Sequence, residues 1–292
     1  MKLAVVIPTL GRKAVAHRLL AHLEEQSRLP DHVFVTAPDA SHVEEEEAPR
    51  RYPVSMVFGG RGLCAQRNRA LAQALGRFDV ITFFDDDFLP AGDYLEQVVH
   101  AFTHHADFAV LMGDVLRDGA HDTGCSLEEG LAILRQAART PPPHHPPVDH
   151  PGAYGCNMSI RAGVIGPVRF DEKLALYGWQ EDIDFTAQMR RHGRVVRLAS
   201  LLGVHLGIKS GRVNGVRLGY SQVVNPVYLV RKGTMPVGFA ADLIFRNLAA
   251  NLAKSLFPEP HVDRRGRLKG NLIGARHLIA GRVEPEYVLE LK

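Results

Sequence analysis

Apolar runs and polar breaks alternate along the first two thirds of the chain. Residues 3–7 are uninterruptedly apolar and end in Pro8-Thr9-Leu10-Gly11, which fits a strand buried on both faces and closed by a turn. Residues 12–26 then place Leu19, Leu20 and Leu23 at helical spacing. Residues 32–36 and 54–58 read as further strands, and Gly59-Gly60-Arg61-Gly62 as a flexible turn opening a helix over about 63–75. A fourth strand is predicted over 78–84, a helix over 94–105, a strand over 109–115 and a helix over 127–138. Beyond these come a strand over 155–161, a helix over 182–192 and a strand over 195–201. Strands alternating with helices in this way predict an α/β protein with a mixed, mainly parallel sheet flanked by helices.

Two stretches break the alternation. Residues 140–150 hold five prolines and three histidines and are expected to be a loop without regular structure. Their histidines raise a metal reading, set against that of a solvated loop. From about Asn225 onward the character becomes helical, and residues 239–256 carry Leu243, Ile244, Leu248, Leu252 and Leu256 on one side of an amphipathic helix. Such a helix packs against the α/β core or lies at a membrane interface. The expected organisation is an α/β domain over 1–210 and a mainly helical, basic extension over 211–292.

Charge sharpens that division. The net charge of +3 conceals −9 over residues 1–185, from 17 Lys and Arg against 26 Asp and Glu, and +12 over residues 186–292, from 18 against 6. A basic C-terminal third points to an anionic partner, with a membrane surface or a phosphorylated substrate ahead of nucleic acid, because few aromatics stand among the bases to stack on nucleobases. Three cysteines without a CxxC argue against a disulfide framework or a zinc site and favour a reducing cytosol. No run of about 18 apolar residues predicts a membrane span, and the N-terminal apolar run is too short for a signal peptide.

The candidate chemistry begins at Asp85-Asp86-Asp87, directly after an apolar strand. Three adjacent carboxylates repel one another and are costly to dehydrate unless a cation or a solvated turn compensates. At the carboxyl end of a strand in an open α/β sheet they lie where such sheets bind ligands. Thr9 and Arg12 stand at the turn after the first strand. Arg67 and Asn68 lie one turn into the helix opened by Gly62, Asn157 lies in an apolar strand, Glu181-Asp182 starts a helix, and His205 follows a strand. Singly each has a structural explanation: an acidic turn, a surface arginine, a helix cap, a packed histidine.

Taken in order, VVIPTLGR, GLCAQRNRAL, FFDDDFLP, YGCNMSIRAG and GWQEDIDF resemble the motifs of the family 2 glycosyltransferases of GT-A fold, over about residues 1–210. The segments NPVYLVRKG and RRGRLKGNLIGARHLIAGR resemble the tails of bacterial polysaccharide-assembling members. The resemblance implies inverting transfer of a sugar from a nucleotide-diphosphate donor to a hydroxyl of a saccharide or lipid-linked acceptor, with Mn²⁺ or Mg²⁺. It implies Asp85, Asp87 and His205 as metal ligands and Asp182, with Glu181 beside it, as the catalytic base. Pro8, Thr9, Arg12, Asp39, Gly62, Arg67, Asp85 and Asp86 then line the donor pocket, and Trp179 and Asn157 face the acceptor. An imidazole ligand suits Mn²⁺ better than Mg²⁺. The cytoplasm, with peripheral attachment to the inner face of the plasma membrane, is the expected location. Sugar-phosphate nucleotidyl transfer and catalytically silent sugar-nucleotide binding are the competing readings. PTLGRK has one glycine where the first of these expects a glycine- and arginine-rich phosphate loop, and a silent protein has no need of both acidic motifs.

Overall fold

The computed structural model describes residues 1–44, 49–140, 145–209, 214–260 and 262–292, and the His121 side chain lies outside that description. The chain divides into two compact units. The first comprises Met1–Arg61, Ala65–Arg169 and Gln188–Gly211, and the second comprises Gly62–Cys64, Phe170–Ala187 and Arg212–Lys292.

The first unit is built on one mixed sheet. Its strands are β1 (Leu3–Pro8), β2 (His32–Ala37), β3 (Val54–Phe58), β4 (Val80–Phe84), β5 (Phe88–Pro90), β6 (Phe108–Asp118), β7 (Val148–Asp149), β8 (Asn157–Arg161) and β9 (Arg194–His205). They lie in the order β3-β2-β1-β4-β8-β6-β9-β5, with β7 added to β9. β1 is parallel to β2 and β4, β8 runs antiparallel to β4 and β6, and β6 is parallel to β9. It follows that β1, β4, β6 and β9 all deliver their carboxyl ends to the same edge. The residues there are Thr9, Asp85–Asp87, Asp118 and His205.

Every residue of β1 and of β4 is buried, as expected of strands covered on both faces. Helix α1 (Lys13–Leu23) turns Ala16, Leu19, Leu20 and Leu23 into this core, and α3 (Tyr94–His104) contributes Tyr94, Leu95, Val98, Ala101 and Phe102. Helix α2 (Leu63–Ala74) carries Arg67, and α4 (Leu127–Arg139) opens with a Ser126/Glu129 capping box. Phe84 stacks on Phe88 at 5.2 Å, edge-on to Tyr94. Burying each such ring contributes about 2–3 kcal/mol, and the trio fixes the end of the strand that leads into Asp85.

Several elements depart from the sequence reading. β7 lies inside the proline-rich segment expected to lack regular structure. Val148 and Asp149 pair antiparallel with Arg197 and Val196. Proline holds its backbone near the extended region, so a short edge pairing just after Pro147 costs little. Residues 141–144 of that segment, His144 among them, lie outside the described residues. β6 runs three residues past its expected end, to Asp118. The helix expected over 182–192 is α-helical only as α5 (Glu181–Ala187), and Gln188–His192 tightens into a 3₁₀ turn.

The second unit is mainly helical, with α5 joined by α6 (Gly215–Lys232), α7 (Val237–Lys254) and α8 (Arg264–Ile279). α6 begins ten residues before the expected helical onset at Asn225 and carries Pro226 in its interior. α6 and α8 meet almost backbone to backbone. A Cβ on Gly219 would lie 2.0 Å from the Arg267 carbonyl oxygen, and one on Gly270 would lie 2.0 Å from that of Val216. A buried amide network joins the helices: Asn251 Nδ2 donates to Gln222 Oε1 and to Asn271 Oδ1, both at 2.9 Å, and Asn271 Nδ2 donates to the Gly219 carbonyl at 2.7 Å. Among the described residues no helix is long and apolar enough to cross a membrane.

Candidate active site

The acidic run sits in the tight turn between β4 and β5. Phe88 N–H donates to the Asp85 carbonyl at 3.0 Å, and Leu206 N–H donates to that of Asp87 at 2.9 Å, which ties the turn to the end of β9. The three side chains then diverge. Asp86 is buried, with 1% exposure. Its carboxylate accepts from the Thr9 hydroxyl at 2.7 Å and meets the Arg12 guanidinium at 2.5 Å. Asp87 is buried as well, and accepts from Ile208 N–H at 2.8 Å and from Arg12 at 3.3 Å. Asp85, partly exposed, lies 3.2 Å from the Arg67 guanidinium.

His205 faces this run. Its Nε2 lies 3.3 Å from Asp87 and 3.9 Å from Asp85. Its Nδ1 lies 3.0 Å from Asp118, the residue directly opposite in the β6–β9 ladder. Tyr154 donates its hydroxyl hydrogen to the other Asp118 oxygen at 3.0 Å. A carboxylate on Nδ1 turns Nε2 toward the acidic run, an arrangement common behind metal-bound histidines. Ligand atoms of Asp85, Asp87 and His205 all lie within 4.8 Å of one another, the one such group among the described residues. Two carboxylates and an imidazole are a suitable donor set for a hard or borderline divalent cation.

The electrostatics follow from burial set against pairing. Burial alone would raise the Asp87 carboxyl, but the His205 hydrogen bond and charge, with Arg12 and Ile208 N–H, outweigh it and hold Asp87 at about 2. Burial would lower His205, but hydrogen bonds to Asp118 and Asp87 and the charges of Asp87 and Asp85 lift it to about 10. The ring is therefore an imidazolium at neutral pH. Burial pushes Asp86 up against the pull of Arg12, while the three aspartates raise Arg12 although burial opposes them. These two shifts favour opposite states of the pair. The guanidinium contact and the Thr9 hydroxyl, both donating to the carboxylate, favour the ionised form.

The remaining sequence candidates take several places. Pro8 ends β1 beside Thr9. Arg67 is fully buried and bonds the Gly155 carbonyl at 2.9 Å as well as Asp85, so it braces the run from below. Asn157 is fully buried in β8 and donates to the Gly113 carbonyl at 3.3 Å. Asp39 is exposed, and its carboxylate accepts from Ser41 N–H at 2.9 Å.

Gly62, Trp179, Glu181 and Asp182 belong to the second unit. There Gly62 has a left-handed φ of +99°, and a Cβ on it would meet Leu176 N at 3.1 Å. Leu176 and Gln180 are themselves left-handed, with φ of 60° and 74°, in the segment that leads into α5. Non-glycine residues in that region store local strain and cluster at functional loops. Trp179 is half-buried, and its carbonyl accepts from Asn225 Nδ2 at 2.8 Å. Glu181 is buried, and Asp182 is partly exposed, with Oδ1 accepting from Ile183 N–H at 2.8 Å.

Two functional elements escape a reading of sequence motifs. Asp118 lay beyond the predicted end of β6, and only the strand register pairs it with His205. The other is Asp184, fully buried, which accepts from Lys232 and from Thr234 at 2.7 Å each. Burial pushes its carboxyl up and Lys232 pulls against it. Lys232 also reaches Asp171 at 2.7 Å. This cluster anchors α5, and with it Asp182, to the end of α6.

A mixed sheet flanked by helices, with acidic residues at the carboxyl edge after β4, is the GT-A architecture. The chain matches the model of glycosyl transferase family 2 over residues 4–155; it belongs to that family and is a glycosyltransferase. No curated protein sequence matches it. Among solved structures it is similar to S. aureus TarS 1–349 in complex with UDP-GlcNAc, at 15% identity, covering 97% of this chain and 93% of that one with a TM-score of 0.51. It is likewise similar to the mannosyltransferase PcManGT from Pyrobaculum calidifontis in complex with GDP-Man and Mn²⁺, at 14% identity, covering 99% and 78% with a TM-score of 0.51. At such identities the likeness is one of fold. The match to a longer TarS chain spans 40% of that chain.

Proposed function

We propose that the protein transfers a sugar, with inversion, from a nucleoside-diphosphate donor to a hydroxyl of a saccharide or lipid-linked saccharide acceptor, in a divalent-metal-dependent reaction. The observation that carries this reading is the Asp85–Asp87–His205 group at the carboxyl edge of a family 2 sheet. The neighbours solved with UDP-GlcNAc and with GDP-Man and Mn²⁺ support the donor class and the ion.

Asp85, Asp87 and His205 would hold the cation, which when bound neutralises charge developing on the leaving diphosphate. Asp118 and Tyr154 keep the His205 ring turned so that Nε2 faces the aspartates. Thr9 and Arg12 hold Asp86 and Asp87 in place, with all three guanidinium nitrogens of Arg12 engaged by Asp86, Asp87 and the Ile208 carbonyl. Asp182 is assigned as the base. It accepts the acceptor hydroxyl proton as that oxygen bonds to the anomeric carbon, while the carbon–phosphate-oxygen bond breaks and its electron pair leaves with the diphosphate. Only one carboxylate is needed for such a displacement. Asp184, Lys232 and Thr234 position the helix that carries it.

The test is donor-dependent release of nucleoside diphosphate across UDP-, GDP- and dTDP-sugars, with the anomeric configuration of the product read by NMR. Asp182→Asn is expected to lower turnover about 10²–10⁴-fold with Mn²⁺ and nucleotide binding retained. Retention of configuration, or an unaffected Asp182→Asn variant, would overturn the assignment.

A further inference from the structure

The C-terminal helices carry two surface rows that nothing in catalysis uses. On α8 the exposed residues are Arg265, Lys269, Leu272, Arg276 and Ile279. At 100° per residue they fall within an arc of about 80°. The row thus interleaves three bases with two large apolar side chains. Leu272 is 63% and Ile279 90% exposed, and none of the three bases has an ion-pair partner among the described residues. On α7 the exposed apolar residues Val237, Ala241, Phe245, Ala249 and Leu252 form a row within about 120°, flanked on one side by the exposed Asp242–Arg246 ion pair. Leu256 and Phe257, 72% and 87% exposed, continue beyond its end. The two rows meet at Ser255, whose carbonyl accepts from Arg265 Nε at 3.2 Å, in the segment of chain that also carries Leu252, Leu256 and Phe257.

From this we infer that α7 and α8 form a face that seats the protein on an anionic lipid surface. Charge complementarity selects the occupant. Pairing the face with a second copy about a two-fold axis would bring its own unpaired arginines and lysine together. Leu, Ile and Phe interleaved with Lys and Arg on a helix too polar to span suit the headgroup–acyl boundary. The inference is independent of the catalytic assignment, because it concerns binding without donor or acceptor.

The test is flotation of the full chain with phosphatidylcholine vesicles, with and without phosphatidylglycerol, at low and high salt. Recovery is expected with the anionic vesicles only and is expected to fall with salt. Each base neutralised should weaken binding about fivefold, so Arg265→Gln/Lys269→Gln/Arg276→Gln together should weaken it about a hundredfold. Phe257→Ser/Ile279→Ser should also weaken it, while the thermal melt by circular dichroism stays unchanged for both variants. Three results would overturn the inference: equal recovery with neutral vesicles, no recovery with either, or a dimer by light scattering that Phe257→Ser/Ile279→Ser dissociates.

Discussion

Two regions bury polar groups, and they do so in opposite ways. At the sheet edge the buried groups are charged: Asp86 and Asp87 against Arg12 and His205. Between the C-terminal helices they are neutral amides: Gln222, Asn251 and Asn271, bonded to one another, to the backbone and, through Asn251 Oδ1, to the Arg264 guanidinium, which stays charged at any ordinary pH. A buried charge is tolerable only while its partner keeps its own charge, so the first region changes with protons and cations. A satisfied amide network is indifferent to pH and serves to fix how the helices pack. The first is built to respond, the second to hold.

The sharpest way to break this contrast lies in the helical region. Gly270→Val drives a side chain into the Val216 carbonyl, and is expected to cost about 3 kcal/mol or more of stability. Chemical denaturation monitored by circular dichroism would show the loss, and a variant as stable as the parent would mean that the close α6–α8 approach is not required. Next in size is Asn251→Leu, which removes the donor to Gln222 and Asn271 and should cost about 2 kcal/mol. That cost should be the same at pH 6 and at pH 8, and a strong dependence on pH would erase the distinction between the regions.

At the acidic edge, Asp118→Asn leaves the His205 ring without its ionised partner. Mn²⁺ affinity is expected to fall about 10–100-fold, measured by titration calorimetry, and the melting temperature of the metal-free protein at neutral pH is expected to fall as well, because the buried imidazolium loses an ionised partner. The smallest effect concerns pH. His205 sits at about 10 in the metal-free fold, above its ordinary 6.5, so its contribution to stability is full below 6.5 and is lost as pH rises toward 10. Metal binding needs the neutral ring, so affinity moves the opposite way and rises with pH. The gain in melting temperature on adding Mn²⁺ should therefore widen from pH 6 to pH 8. A constant gain would mean that His205 is not a ligand.

The same contrast explains what could be read from the sequence. The acidic run was legible because three carboxylates directly after an apolar strand are a local pattern, although the partners that hold them, Thr9, Arg12 and His205, are distant in sequence. Thr9, Arg12 and His205 stand at the ends of strands whose apolar runs are plain. Asp118 was not legible, because its partnership with His205 depends on the register of β6 against β9, which shifts along their length. α6 was hidden for a related reason. Gly215, Gly219 and Pro226 disfavour a helix locally, and only the close contact with α8 accounts for the two glycines. Lys232 and Asp184, 48 residues apart in the chain, meet only once that packing exists.

That last pairing has a consequence for how the protein opens and closes. Asp184 shares its compact unit with the C-terminal helices, whereas the acidic run and His205 share theirs with the sheet. Segments that pack together tend to exchange their amide hydrogens together. The amides of α5 are thus expected to lose protection along with those of α6 and α8, while β4 and β9 stay closed. Asp182, the proposed proton acceptor, and the proposed cation seat would then belong to separate cooperative elements, so that local opening of the first would leave donor binding at the second in place.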